Sequence, residues 1–363
     1  MSAELDEKTD RLVAIIATSG LGGILINSQP NFAWLTCGGS NGIDHSRDPG
    51  AASILVRKDG RRFILANNIE LPRLLAEEVS TDLFEPVEFQ WQREKAELGL
   101  VGTLAASICD GTVGLESEFD AKIAKCRYTL TDTEVERYRL LGRDAGAAMD
   151  RVANKITPDI AEFEIAEVMR AELAVARIDS VVTLVAADER IGWFRHPVPT
   201  AKRLERTVLL VTCARRGGLT ASLSRMVSVG VPDDNLQQKT EAAAYVNAKL
   251  LNATREGTTG TKLYDVAATA YAERGYAGEI ERHHQGGATG YRTRDWVAHS
   301  SSDELVQPRQ AFAWNPSITG TKVEDTVVVD GDRVEVLTPS PGFPSITDVI
   351  NGREFTATGI LTI

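Results

Sequence analysis

Two histidines stand together at His283 and His284, opening the run His283-His284-Gln285-Gly286-Gly287-Ala288-Thr289-Gly290-Tyr291. Later in the same stretch, residues 282–326, Glu324 and Asp325 stand together ahead of Thr326-Val327-Val328-Val329. Imidazoles and carboxylates on neighbouring strands can do one of two things. They can hold a metal ion, or they can pass protons to and from a substrate. The glycines let a backbone run close to another segment, and the β-branched run after Glu324 reads as strand. A further histidine, His196, sits in Trp193-Phe194-Arg195-His196-Pro197. Its aromatic neighbours suggest a wall that excludes water and shifts the imidazole pKa.

The elements that must position these groups follow from hydrophobic period and punctuation. Residues 11–27 begin as an amphipathic helix and end in a short buried strand at 22–26. Lys58-Asp59-Gly60-Arg61 between apolar runs at 52–56 and 62–66 predicts a hairpin. Residues 69–79 read as helix, 86–91 as extended, 94–106 as helix and 112–115 as extended, which makes an α/β domain over residues 1–127. Residues 118–126 read as a connecting segment. Thr131 followed by Glu134 has capping-box spacing and starts a long helix reaching about Val152. A helix over 160–177, strands at 180–186, 207–213 and 222–229, helices over 241–255 and 263–274, and a strand-rich remainder complete a second domain, residues 128–363. That domain is α+β with antiparallel strands.

A chain of 363 residues has room for two domains and a large core. Its net charge of -11 leaves no basic stripe for phosphates, which argues against nucleic acid. No apolar run approaches the ~20 residues that span a bilayer. The acidic N-terminus is not a signal peptide, and the scattered Cys37, Cys109, Cys126 and Cys213 read as reduced thiols, so a cytoplasmic location is expected.

In motif order and spacing, the chain resembles the pita-bread family, which includes aminopeptidase P, prolidase, methionine aminopeptidase and creatinase. Asn31-Phe32-Ala33-Trp34-Leu35-Thr36 resembles the small domain of prolidase and creatinase, Arg195-His196-Pro197 falls where the family carries a site histidine, and Val323-Glu324-Asp325-Thr326 matches its final Glu-Asp-Thr motif. The resemblance implies a pita-bread second domain and a homodimer, with the N-terminal domain of one subunit near the site of the other. The family's metallopeptidases hold two ions with two Asp, one His and two Glu. Carried over one at a time, those positions fall on Val211, Ser222, His284 (or His283 if the register slips), Asn315 and Glu324. Three carboxylates are replaced by neutral residues.

On that count the sequence reading expects no bound metal and no cofactor. It expects a metal-independent, creatinase-like hydrolase or lyase that cleaves a C–N bond in a small carboxylate-bearing molecule. By resemblance His196 is the general acid/base, Glu324 holds a nitrogen, and His284 adds a hydrogen bond. Arg47, Ser222, Tyr291, Arg292, Arg294 and Asn315 are the expected substrate-binding residues. A single ion on His284 and Glu324 stays open. So do a metal-dependent Xaa-Pro-type peptidase with atypical ligands and a non-catalytic binding protein of the same fold.

Overall fold

The computed structural model describes residues 2–363 and divides into two compact units, Met1–Arg127 and Tyr128–Ile363. The first unit is built on a five-stranded mixed sheet. Its order is Glu85–Phe89, Arg62–Asn67, Pro49–Arg57, Gly23–Ser28, Val113–Leu115. The hairpin read from Asp59-Gly60 is present, with Val56 opposite Arg62. Leu25, Leu55, Phe63, Leu65 and Phe89 from the sheet pack with Leu100 and Ala105 of the helix Leu100–Ile108.

The structure corrects the sequence reading of this unit at several elements: the helix expected over 94–106 is two, Trp91–Ala96 and Leu100–Ile108, parted by Gly99 at φ +75. The first helix begins at Ser2, well before residue 11. Residues 118–126 belong to a helix, Glu116–Tyr128, and are not a connector. The segment Asn31–Leu35 is buried throughout and lies in a short helix, Gln29–Leu35, whose N-terminus is capped by Ser28 and carries Pro30.

Beside two two-stranded ribbons, Ser317–Ile318 with Thr321–Lys322 and Ser345–Ile350 with Arg353–Thr358, the second unit carries two larger sheets. One has the order Ile360–Thr362, Leu219–Ser228, Thr207–Arg216, Asp179–Ala187. The other has the order Trp296–Val297, Gly286–Thr289, Gln310–Trp314, Asp325–Asp330, Arg333–Val336, and every pairing in it is antiparallel. A bridge between Ser224 and Glu324 joins the two sheets. Helices Asp132–Ala153, Glu162–Val175, Asp234–Ala253 and Gly260–Glu273 flank them. The first of these opens with the Thr131–Glu134 capping box that the spacing predicts. A short helix, Glu189–Trp193, not read from the sequence, leads into the His196 loop. No helix of the described residues is long and apolar enough to cross a membrane.

Candidate active site

The bridge between the sheets places Glu324 at the centre of a buried polar cluster. Its Oε2 accepts from Ser224 Oγ at 2.6 Å and lies 2.8 Å from Lys322 Nζ; its Oε1 accepts from Arg294 Nη2 at 3.0 Å. Burial alone would raise the carboxyl pKa, but the cations Lys322 and Arg294 and the hydrogen bonds outweigh it and bring it down to about 2. The sequence reading gave Glu324 to a nitrogen of the substrate. The partners are instead Lys322, Arg294 and Ser224. Arg294 also donates through Nη1 to Ser222 Oγ at 3.2 Å, and Ser222 Oγ donates to Cys213 Sγ at 3.2 Å. Burial raises the Cys213 thiol pKa, so it stays protonated and unreactive. Lys322 was legible: on an extended segment residues two apart share a face. Arg294 was read as a substrate-binding residue, and its bond to Glu324 was not foreseen; Ser224 comes from a distant part of the chain and left no local signal.

The three imidazoles form a second group. His283 Nε2 and His196 Nε2 are 3.2 Å apart, the rings of His283 and His284 stack with centroids 4.4 Å apart, and one ligand atom from each of the three lies within 4.8 Å of the others. His283 is half-buried, and its Nδ1 is buried without a partner among the described residues; His196 and His284 are exposed. All three pKa values fall below the ordinary value, chiefly because the surroundings disfavour the charged ring. His283 drops to about 3, with the neighbouring His284 as the next cause, and His284 to about 4, with Arg294 next. Each is therefore neutral at pH 7 and keeps a lone pair.

Backbone packing sets this geometry. Gly286 has φ +97, and a Cβ built on it would stand 2.1 Å from the Ala313 carbonyl oxygen; one built on Gly287 would stand 2.1 Å from that of Trp296. The strand after the histidines thus lies against both neighbours in a way only glycine permits. Gly286 N–H also donates to His284 Nδ1, at 3.3 Å. The His196 loop is pinned from the other side: Arg195 bonds Glu279 and donates to Thr319 Oγ1 at 3.0 Å. Trp193 and Phe194 are 66% and 48% exposed, so they do not form the water-excluding wall expected around His196.

The remaining expected residues divide. Asn315 is buried, its N–H donates to the Gln285 carbonyl at 3.0 Å, and its Oδ1 has no partner among the described residues. Ser222 is fully buried beside Arg294. Tyr291 is buried with its hydroxyl donating to Glu134 Oε1 at 2.7 Å, which makes it a tie to the helix Asp132–Ala153 rather than a residue reaching into the Glu324 cluster. Arg292 is half-buried, and its carbonyl accepts from Thr289 Oγ1 at 3.1 Å. Arg47 lies in an exposed loop of the first unit, where its carbonyl accepts from Gln29 Nε2 at 2.6 Å.

These two sheets around a carboxylate and histidine centre define a pita-bread domain carrying a smaller N-terminal unit, as prolidases do. Residues 136–331, more than half of the chain, match the model of metallopeptidase family M24, and the chain belongs to that family. Among curated proteins it is 25% identical over 256 residues to an Xaa-Pro dipeptidase of Pyrococcus furiosus, covering 66% of this chain and 73% of that one. The solved Xaa-Pro dipeptidase from Bacillus anthracis superposes with a TM-score of 0.76 at 19% identity, over 99% of this chain and 100% of that one. The N-terminal domain of the FACT complex subunit SPT16 from chickpea, Cicer arietinum, superposes with a TM-score of 0.67 at 10% identity, over 93% and 97%.

These findings correct the expectation of a metal-independent, creatinase-like hydrolase. The matching family is one of metallopeptidases, and the relatives are dipeptidases. The sequence reading went wrong by counting only the carboxylate positions that resemblance supplied. On those positions the two-ion set does not fit. Val211 packs in an apolar cluster with Ala186, Ile191, Leu209 and Met226. Both oxygens of Glu324 are already engaged, two of their partners being cationic. What the count could not see is that His196, His283 and His284 meet at one point.

Proposed function

We propose that this chain is a hydrolase of the peptide bond in short Xaa-Pro-type peptides, and that it depends on a metal ion held by ligands other than the family's five. The observation that carries the reading is the family match across residues 136–331 together with a polar centre that still has unfilled hydrogen-bonding capacity. A bound ion would polarise the scissile carbonyl as a Lewis acid. The chain's own groups would do the rest. Asn315 Oδ1, unpartnered and buried, accepts an N–H of the peptide. Arg294 keeps a buried Nε–H without a partner and donates it to a peptide carboxylate oxygen while Nη2 stays on Glu324. Glu324 holds Lys322 and Arg294 in place.

By family resemblance we extend the reading to a homodimer in the cytoplasm, with residues 1–127 as a separate domain whose loop at Arg47 reaches the other subunit's site. The test of the activity is proline release from a panel of Xaa-Pro dipeptides, with chelator and with added Zn²⁺, Co²⁺ or Mn²⁺. Release that chelator abolishes and one of these ions restores is expected. No release with any ion, or release indifferent to chelator, overturns the reading.

A further inference from the structure

We propose that His196, His283 and His284 together form a mononuclear site for a divalent ion of borderline softness, such as Zn²⁺ or Co²⁺. The inference rests on the metal-dependent reading above and names the ligands that the reading leaves open.

Three observations carry it. The first is spacing. Two imidazole nitrogens bound tetrahedrally at 2.0–2.1 Å from one ion stand about 3.3 Å apart. His196 and His283 already hold their Nε2 atoms 3.2 Å apart, although they come from segments far apart in the chain. The third ring offers a nitrogen inside the same 4.8 Å limit, so a modest side-chain rotation closes the set. The second is that nothing else holds the ring: His283 Nδ1 is buried and bonded to nothing among the described residues, so no protein group fixes its tautomer, and an ion on Nε2 would set it with the proton on Nδ1. The third is donor chemistry. Three neutral nitrogens suit zinc, cobalt or nickel and not magnesium or calcium, which want oxygen.

Two features oppose the site, and both are answered by geometry. His284 Nδ1 accepts from Gly286 N–H, and coordination through Nε2 would require it to give up that bond; at 3.3 Å it is long. Lys322 and Arg294 are cations facing the cluster, but each is engaged by the Glu324 carboxylate, which carries charge of the opposite sign. Three ligands leave a fourth tetrahedral position for water or substrate, the pattern of a catalytic rather than a structural ion.

The test uses the purified full chain stripped with chelator. Titration with Co²⁺ is followed by its visible absorption, and Zn²⁺ stoichiometry is followed by calorimetry. One equivalent with the intense bands of tetrahedral Co²⁺ is expected. His283→Ala should weaken binding by more than the ~10–100-fold that loss of an outer-shell partner costs. His196→Gln, at an exposed position, provides a second variant should His283→Ala fail to fold by circular dichroism, and it should weaken binding likewise. Glu324→Gln leaves Lys322 and Arg294 uncompensated, so it should lower the affinity but keep the one-ion stoichiometry and the Co²⁺ bands at saturation, whereas an ion on the family's carboxylate positions would be lost. No binding, binding unaffected in a folded histidine variant, or two ions lost in Glu324→Gln each overturn the site. Proline release is scored separately. Binding as expected without peptide cleavage sinks the peptidase reading and keeps the site; cleavage with an ion indifferent to the histidines does the reverse.

Discussion

Asp325 and Glu324 leave one extended segment on opposite faces, and the polar groups around them are satisfied to different degrees. On the Asp325 side, Arg225 is 1% exposed and spends all five of its N–H donors. Nε goes to Ser340 Oγ, Nη1 to the carbonyls of Ser224 and Glu324, and Nη2 to Asp325 Oδ1 at 2.8 Å and the Thr338 carbonyl at 2.6 Å. Thr338 Oγ1 also donates to Asp325, at 2.7 Å. On the Glu324 side, Arg294 Nε, Asn315 Oδ1 and His283 Nδ1 are buried without partners among the described residues. A saturated network rigidifies the fold. Buried groups left over in a polar cluster are costly for stability alone and make sense where a ligand completes them. The contrast separates the carboxylate that holds the two sheets together from the one that faces chemistry.

The comparison breaks most easily at Arg225. Arg225→Ala strips five donors from a buried site and leaves Asp325 without its cationic partner. Such a loss costs about 3–5 kcal/mol, and the denaturant midpoint should fall accordingly while m stays constant. A midpoint within error of the parent would mean the saturated side does not hold the fold.

Glu324 gives the next largest effect, read through pH. Its folded pKa lies near 2 against an ordinary 4.5, so the folded state binds the proton less well than the unfolded chain. The stabilisation is complete above about pH 4.5 and disappears as pH falls towards 2; it amounts to about 3 kcal/mol. In Glu324→Gln the acid limb of the stability profile should flatten by that order over this window. An unchanged limb would show that Lys322 and Arg294 do not hold the carboxylate charged.

The smallest stability effect, and the sharpest contrast, is expected at Asn315. Its Oδ1 bonds nothing among the described residues, so Asn315→Ala should shift stability by less than about 1 kcal/mol. Its effect belongs on KM for the peptide, raised about tenfold by loss of one hydrogen bond, with kcat less affected. A large fall in thermal stability with unchanged KM would reverse the assignment.

How much of this was legible depended on distance along the chain. The Thr131–Glu134 capping box and the Asp59-Gly60 hairpin are local chemistry and stand where the sequence put them. Helix Glu116–Tyr128 was missed because Phe119 and Ile123 are nearly the only large apolar residues inside a charged run, too few to show a period. In the site, Glu324 was recognisable through its motif, and Arg294 was named as a site residue; Lys322 was missed although its two-residue spacing from Glu324 was there to be read. Ser224, and the pairing of Arg294 with Glu324, were not legible, because only the folded sheets bring these groups to the same carboxylate. The convergence of His196 on His283 was likewise beyond a linear reading: the residues between them include a sheet hairpin and two helices.

The close approach at Gly286 and Gly287 bears on how natural variation in this chain should be weighed. Any side chain at Gly286 would collide with the Ala313 carbonyl and also need a left-handed backbone, so the strand would have to move away. That movement would carry His283 and His284 with it. A population variant at Gly286 therefore belongs in the same severity class as loss of both imidazoles, although the residue it alters has no functional group of its own.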